Sequence, residues 1–215
     1  MHRLPAWHRL AAIAVAFGLV PALLGGCAEM PPRHQDNLCK VFDQHPDWYD
    51  YAHESQRKWG VPIQIQMAFI KRESSFHEGA RPPRHWFLGF IPLPRHSSAY
   101  GYGQIQDPVW HQYLKANPGW FQSRTDMEDV LDFIGWYDHE SHEKLGISVW
   151  DTEHLYIAYH EGWAGYRAGR WRHDRHLLRT AHQVAGRASD YGAQLRRCEH
   201  RFRCRHFWQI GPFCK

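Results

Sequence analysis

The 215-residue sequence has little excess charge of either sign, and it lacks the short patterns that usually identify a metal-binding chain. Its 26 lysines and arginines against 22 acids give a formal net charge of +4, which is too small to indicate nucleic-acid binding. Neither Cys-x-x-Cys nor His-Glu-x-x-His occurs among its five cysteines and 18 histidines. We therefore expect no nucleic-acid partner, no metal and no other cofactor. A surface metal site at helix-spaced pairs such as His139 and His142 is the alternative to ordinary solvated histidines.

Long apolar segments are also scarce, and the one continuous run is too short to span a bilayer comfortably. Residues 10–24 are almost wholly apolar and follow Arg3 and Arg9, which is the arrangement of a signal peptide. The run ends in Leu24-Gly25-Gly26-Cys27, which resembles a bacterial lipobox with Cys27 as the lipid attachment site. An ordinary signal peptide followed by a chance cysteine is the alternative. We predict a signal peptide over residues 1–26, whose removal takes away two arginines and lowers the net charge to +2.

The next segment, residues 27–38, is polar and contains two prolines, so we predict a lipidated tether that holds the protein to a membrane. Ala28, rather than aspartate, follows the cysteine. This resembles Gram-negative lipoproteins that are sent to the outer membrane. We therefore expect an exported protein at the outer membrane, facing the periplasm.

The remaining four cysteines form an even set in a chain predicted to enter an oxidising compartment, so two disulfides are expected. They are Cys39, Cys198, Cys204 and Cys214. The sequence permits three pairings. We prefer Cys39–Cys198, which would tie the start of the domain to its last helix, with Cys204–Cys214 pinning the C-terminal segment.

Helical periodicity dominates residues 39–215, which are predicted to form one mainly α domain. Asp47 can cap a helix that runs to Trp59, and Pro62 begins another that ends near Ser74. Further helical patterns cover residues 107–116, 126–145, 151–160 and 174–197. No convincing strand or internal repeat is found. Between the helices, residues 77–103 are rich in proline, glycine and aromatics, and they are predicted to form a long loop on one wall of a cleft.

Glu73 is the principal candidate for chemistry. It lies three residues after Ile70, on the helix face predicted to point inward. Burial would raise the pKa of its carboxyl, and a glycosidase general acid must stay protonated near neutral pH. The alternative is a structural glutamate at a helix end, paired with Lys71, Arg72 or Arg81.

Three segments resemble, in order and spacing, the motifs of the lytic transglycosylases related to goose-type lysozyme. Residues 67–76 resemble the family's helix that ends in Glu-Ser, where the glutamate is the catalytic acid. Residues 99–105 resemble its Gly-Leu-Met-Gln turn, and residues 158–166 resemble its Ala-Tyr-Asn-x-Gly turn. The resemblance covers roughly residues 55–170 and implies a lysozyme-like fold.

The resemblance implies cleavage of peptidoglycan glycan strands, between N-acetylmuramic acid and N-acetylglucosamine, without water. Glu73 would act first as acid and then as base, and would leave a 1,6-anhydro end. A hydrolytic lysozyme, with Asp107 or Glu161 as a second carboxylate, is one alternative. A non-catalytic peptidoglycan-binding lipoprotein is another.

The resemblance also implies supporting roles around the acid. Tyr159 is expected to hydrogen-bond Glu73, and Ser74 to contact substrate or steady the helix end. Tyr102-Gly103 replaces the family's usual Leu-Met and His160 its usual Asn, so the sugar contacts should differ in geometry. The implied substrate-binding residues are Ser74, Tyr102, Gly103, Gln104, Tyr159 and His160.

Aromatic residues make up 15% of the chain, and most should belong to the core. We expect Trp86, Phe87 and Tyr102 to contact sugar rings because they lie between the motifs. The alternative for the apolar part of loop 81–96 is contact with a membrane or a cell-envelope protein.

Overall fold

The computed structural model describes residues 29–203, and this part of the chain is mainly α, as the sequence predicts. Seven α-helices are joined by loops, one minimal β-hairpin and two short 3-10 turns. The elements are α1 (Leu38–Gln44), α2 (Pro46–Trp59), α3 (Ile63–Ser74), β1 (Trp86–Phe87), β2 (Ile91–Pro92), α4 (Asp107–Ala116), α5 (Met127–Leu145), α6 (Thr152–Ala168) and α7 (Arg175–Cys198). The 3-10 turns are Arg170–His173 and Glu199–Arg201.

Local sequence explains where several helices begin and end. Pro46 starts α2, where its missing N–H breaks no hydrogen bond, and Gly60 ends α2 with a positive φ of 76°. The Asp126 carboxylate caps α5 by accepting from the backbone N–H groups of Glu128 and Asp129. Asp174 caps α7 in the same way. These caps satisfy backbone donors that a helix start leaves without partners.

Helix α3 runs through the centre of the molecule and is buried along most of its length. Ile65, Met67, Phe69 and Ile70 are at most 2% exposed, although they point in different directions around the helix. Neighbouring helices therefore surround α3: it packs on α7 along one side and on α2 along another, while α6 also packs on α7. A helix buried in this way is a rigid support for Glu73 in its last turn.

The Cys39–Cys198 disulfide joins α1 to the last residue of α7, which is the first of the two preferred pairings. It closes a span of 159 residues. The other preferred pairing, Cys204–Cys214, lies outside the described residues, as do the predicted signal peptide and Cys27.

The described part of the predicted tether is packed against the domain. Glu29 accepts a hydrogen bond from the Tyr102 hydroxyl, and the Gln35 side-chain amide donates to the Ser75 carbonyl oxygen. Leu38 is fully buried at the start of α1, a helix that the sequence analysis did not predict. The described residues of this segment therefore contact the domain through both apolar and polar groups.

The helix predicted over residues 151–160 is interrupted at Gly162, which has non-helical backbone angles, and a second helical stretch follows it; together the two stretches make α6 (Thr152–Ala168). Loop 81–96 contains the hairpin of β1 and β2, although its strands have only two residues each. Within residues 29–203, no helix is long and apolar enough to cross a membrane.

Candidate active site

Glu73 lies in the last turn of α3, where Ser75 ends the helix in a left-handed conformation with φ 52°. Its carboxylate oxygen Oε1 accepts a hydrogen bond of 2.8 Å from the Tyr156 hydroxyl on α6. Burial raises the pKa of the Glu73 carboxyl, while the Tyr156 hydrogen bond and the nearby His160 and Arg72 lower it by less. The group therefore retains its proton to a higher pH than an ordinary glutamate.

The expected hydrogen bond between Tyr159 and Glu73 is not the one that forms. The Tyr159 hydroxyl donates to the carbonyl oxygen of Gly103 at 2.7 Å, and Tyr156, one turn earlier, contacts Glu73 instead. Residues three apart share a helix face, so both tyrosines point toward α3, and Phe69 contacts both rings. That spacing was visible in the sequence and could have identified Tyr156.

The turn at residues 100–105 depends on Gly101. Tyr100 and Ile105 pair across the turn, and Gly101 has a φ of 79°. A Cβ atom on Gly101 would lie only 1.8 Å from the Arg124 carbonyl oxygen. The requirement for glycine is therefore set by both conformation and space.

The polar groups of Gln104 and Gly103, both predicted to bind substrate, largely make hydrogen bonds within the fold. The Gln104 side-chain amide donates to the carbonyl oxygens of Ala80 and Gly101, and Gly103 accepts from Tyr159. The Gln104 backbone also has a positive φ of 48°. These bonds fix the turn against α6.

A cavity of about 260 Å³ opens between this turn, α5 and α6. It brings together three residues predicted for the site, Gln104, Tyr159 and His160. It also contains residues that the sequence analysis did not assign to substrate: Ile105, Gln106, Pro108, Val109, Phe133, Tyr137, Glu161 and Gly162. Glu73 is not itself among the residues that line this cavity. Tyr159 lines it and packs on Phe69, which also contacts the ring of Tyr156, the hydrogen-bond partner of Glu73. A carboxyl group with a raised pKa is thus linked through packed aromatic rings to a mixed aromatic and polar cavity.

Comparison with family models decides the classification. The model described as the transglycosylase SLT domain matches residues 15–198, most of the chain. The chain belongs to this family. Its lysozyme-like, mainly α fold follows, and membership supports transglycosylase activity on peptidoglycan. No curated protein and no solved structure matches the chain.

Two residues assigned to substrate binding in this transglycosylase domain belong to its interior. The Tyr102 side chain is fully buried, with its ring edge against Trp48 and its hydroxyl bound to Glu29. Ser74 is also buried, and its hydroxyl donates to the Ile70 carbonyl oxygen. The expected sugar contact of Tyr102 is therefore wrong, and Ser74 has the helix-steadying role.

Of the two other carboxylates considered for catalysis, only Glu161 lines the cavity. Asp107 forms an ion pair of 2.7 Å with Arg124 and does not line the cavity. Glu161 does line it, and its Oε1 lies 3.3 Å from Nδ1 of His160. Glu161 is therefore the one of the two placed to influence substrate.

The histidines that suggested an alternative metal site are turned toward backbone groups. Nδ1 of His139 lies 3.2 Å from the Trp59 carbonyl oxygen, and Nδ1 of His142 lies 2.8 Å from that of Ile147. Among the described residues, no group of three or more His, Cys, Asp or Glu side chains could hold a metal ion.

Proposed function

We propose that this transglycosylase-family protein cleaves the β-1,4 bond between N-acetylmuramic acid and N-acetylglucosamine without water. One observation carries the proposal: the Glu73 carboxyl, with its raised pKa, is held by Tyr156 at the end of a buried helix. Such a group can donate a proton near neutral pH and take one back.

The proposed reaction begins with transfer of the Glu73 proton to the bridging oxygen. The bond from this oxygen to C1 of the muramic sugar breaks, and the N-acetylglucosamine side leaves with a new 4-hydroxyl. The substrate's own acetamido group stabilises the positive charge at C1. The Glu73 carboxylate then takes the proton of the muramic 6-hydroxyl while that oxygen bonds to C1. The product is a 1,6-anhydro sugar, and Glu73 is protonated again.

The cavity between the Gly101–Gln104 turn, α5 and α6 is proposed to hold the acetamido sugar. His160 and Gln104 line it with polar groups, Phe133 and Tyr137 with aromatic ones. Sugar recognition commonly combines both kinds of contact. Gly103 and Tyr159, linked by their hydrogen bond, shape the same wall.

The proposed location is the outer membrane, through a lipid on Cys27, with the domain facing the periplasm. The support is the sequence at residues 24–28, which lies outside the described part of the chain. Mass analysis of the purified protein would detect the lipid, and a chain found with an unmodified Cys27 would contradict this location.

The reaction is tested by digesting purified peptidoglycan with residues 28–215 and weighing the released fragments. Anhydro ends are lighter by one water than hydrolysed ends, and we expect anhydro ends. Reducing ends would instead identify a hydrolase. Absence of products, together with tight sedimentation onto the wall, would identify a non-catalytic binding protein.

The hydrolase is kept as a second candidate because Glu161 lines the cavity. In an inverting hydrolase, a second carboxylate holds the attacking water. Glu161→Gln distinguishes the two reactions: with a single catalytic carboxylate, cleavage should stay within a few-fold of wild type. A loss as complete as that of Glu73→Gln would favour the hydrolase.

A further inference from the structure

The hairpin of β1 and β2 exposes several large apolar side chains. We call residues 86–93 the apolar hairpin. Trp86 pairs with Pro92 and Phe87 with Ile91, and Leu88-Gly89-Phe90 forms the tip. Six of its large apolar side chains are between 41% and 70% exposed: Trp86, Phe87, Leu88, Phe90, Ile91 and Leu93.

The apolar character extends over both faces of the hairpin. Directly paired residues share a face, so Trp86 and Pro92 lie on one side and Phe87 and Ile91 on the other. Leu88 and Phe90 extend the apolar surface over the tip, where both are about 70% exposed. A protein surface or a flat sugar chain would cover one face of a hairpin. Exposed apolar side chains on both faces and the tip instead fit immersion in an apolar medium.

Charge at the base of the hairpin has a single sign. Between Glu78 and Asp107 the chain contains no acidic residue, but it contains three arginines, Arg81, Arg84 and Arg95. Arg95 donates through Nε to the Pro82 carbonyl oxygen, and Arg81 lies over the Tyr100 ring at 3.9 Å. Two of the three cations are thus anchored below the apolar hairpin, and Arg84 is exposed beside it.

We propose that the apolar hairpin inserts into the surface of an anionic phospholipid membrane, with the arginines at its base contacting lipid phosphates. An apolar, tryptophan-containing tip with a cationic base matches the change from acyl chains to headgroups across a membrane interface. Half of the six exposed side chains are aliphatic, so stacking on sugar rings does not account for the surface. This contact is separate from the proposed lipid on Cys27.

The insertion would also orient the catalytic cleft. The apolar hairpin lies in the connection between Glu73 at the end of α3 and the Gly101–Gln104 turn. A membrane contact there would hold the cavity near the bilayer surface. The enzyme would then act on glycan strands closest to the membrane.

The test uses residues 27–215 carrying Cys27→Ser, so that no lipid is attached, in flotation with vesicles. Vesicles of phosphatidylethanolamine with phosphatidylglycerol should bind the protein, and neutral phosphatidylcholine vesicles should bind it less. The variant Phe87→Ser/Leu88→Ser/Phe90→Ser should bind the anionic vesicles roughly tenfold more weakly or worse, because it loses three inserted apolar side chains. The control is Trp120→Ser/Phe121→Ser, which removes a pair of apolar side chains from another loop that are even more exposed than those of the hairpin, and its binding should be unchanged.

A second variant tests the cationic base. Arg84→Glu should weaken binding to the anionic vesicles about fivefold or more and have little effect with neutral vesicles. Circular dichroism should show all variants folded, since the side chains substituted in the hairpin, at Arg84 and in the control loop are exposed.

Three results would overturn the proposal. Wild-type protein could fail to bind the anionic vesicles. The hairpin variant could bind them as well as wild type. Alternatively, the variant could lose sedimentation onto purified peptidoglycan, or capture of an envelope protein, while vesicle binding is unchanged; the surface would then serve glycan or a protein.

Discussion

Two opposing effects set the proton affinity of Glu73, and burial is the larger. Burial disfavours the carboxylate, whereas the Tyr156 hydroxyl, by donating to it, favours the charged form. The same hydrogen bond fixes the carboxyl at the end of α3. Tyr156 is therefore a positioning residue whose loss should alter both the proton affinity and the orientation of the acid.

Tyr156→Phe should move the alkaline limb of the kcat/KM profile to higher pH. The variant loses an interaction that lowers the Glu73 pKa, so the acid stays protonated to a higher pH. At low pH the rate should fall, because the carboxyl is less well oriented. The measurement is the cleavage rate of soluble glycan fragments across pH.

Tyr159→Phe is the matched control, because the Tyr159 hydroxyl contacts Gly103 rather than Glu73. It should lower the rate without moving the alkaline limb by a comparable amount. An equal shift in both variants, or a shift to lower pH with Tyr156→Phe, would show that the hydrogen bond does not set the Glu73 pKa.

Asp138 on α5 is a second buried carboxyl, and burial alone raises its pKa well above the ordinary value. Neither of its oxygens has a hydrogen-bond partner among the described residues. A raised folded-state pKa gives stability below the unfolded pKa, and this stability is lost as pH rises toward the folded one. Asp138→Asn should therefore gain stability relative to wild type by about 1.4 kcal/mol per pH unit above about pH 4.

Urea unfolding of both proteins at several pH values measures this difference. The stability difference between Asp138→Asn and wild type should widen steadily as the pH rises, until the pH passes the raised pKa of Asp138, and should then become constant. A difference that does not depend on pH would mean that Asp138 is not protonated in the folded protein.

At the scale of elements, Gly162 determines the path of α6 past the cavity. Its φ of 71° and ψ of 161° lie in a region that essentially only glycine adopts, and they separate the two helical stretches of α6. His160 and Glu161, which line the cavity, directly precede it. The kink thus separates the part of α6 that forms the site from the part that continues to Ala168.

Gly162→Ala should destabilise the fold by about 1–3 kcal/mol and lower cleavage, because the alanine backbone would strain or shift the kink. Apart from its chain neighbours and the adjacent helix backbone, no atom of the described residues lies within 4 Å of the added Cβ, so the effect would come from backbone strain rather than from a clash. Thermal unfolding and cleavage rates measure the two effects.

Gly146→Ala provides a control, since Gly146 also has a φ of 71° and open space but ends α5 away from the cavity. It should lower stability and leave the cleavage rate of the folded protein unchanged. If both variants lost cleavage equally, the kink at Gly162 would have no special role in activity.

The sequence predicted local features of these elements well. Helix starts at proline and aspartate are local signals, and α2, α3 and α5 occupy nearly the predicted residues. The place of Glu73 also followed from periodicity and from motifs near it. The Glu73 partner and the direction of Tyr102 depend on how α6 and the turn pack against other helices, so periodicity could not specify them. Tyr102 was assigned to sugar because it is an aromatic residue at a motif position, yet its ring packs on the buried Trp48 of α2.

At the scale of the whole molecule, one disulfide joins the two ends of the described fold. Cys39→Ser/Cys198→Ser should lower the free energy of unfolding by about 2–5 kcal/mol, because the crosslink restricts the unfolded chain over 159 residues. Neither α1 nor α7 lines the cavity, so cleavage at low temperature should persist.

Chemical unfolding with and without a reducing agent measures the effect. Wild type under reducing conditions should approach the reduced double variant, and the variant itself should respond much less, because only the predicted Cys204–Cys214 pairing remains to be reduced. A variant as stable as wild type would mean that packing of α1 on α7 holds the two helices together without the disulfide.

The central claim is that one carboxyl, Glu73, performs both proton transfers, and Glu73→Gln tests it most directly. The amide keeps the shape of the side chain but can neither donate a proton as an acid nor accept one as a base. We expect the variant to release no anhydro fragments from purified peptidoglycan while sedimenting with it as wild type does. Fragments released at a rate near wild type would contradict the account and assign the chemistry to another residue.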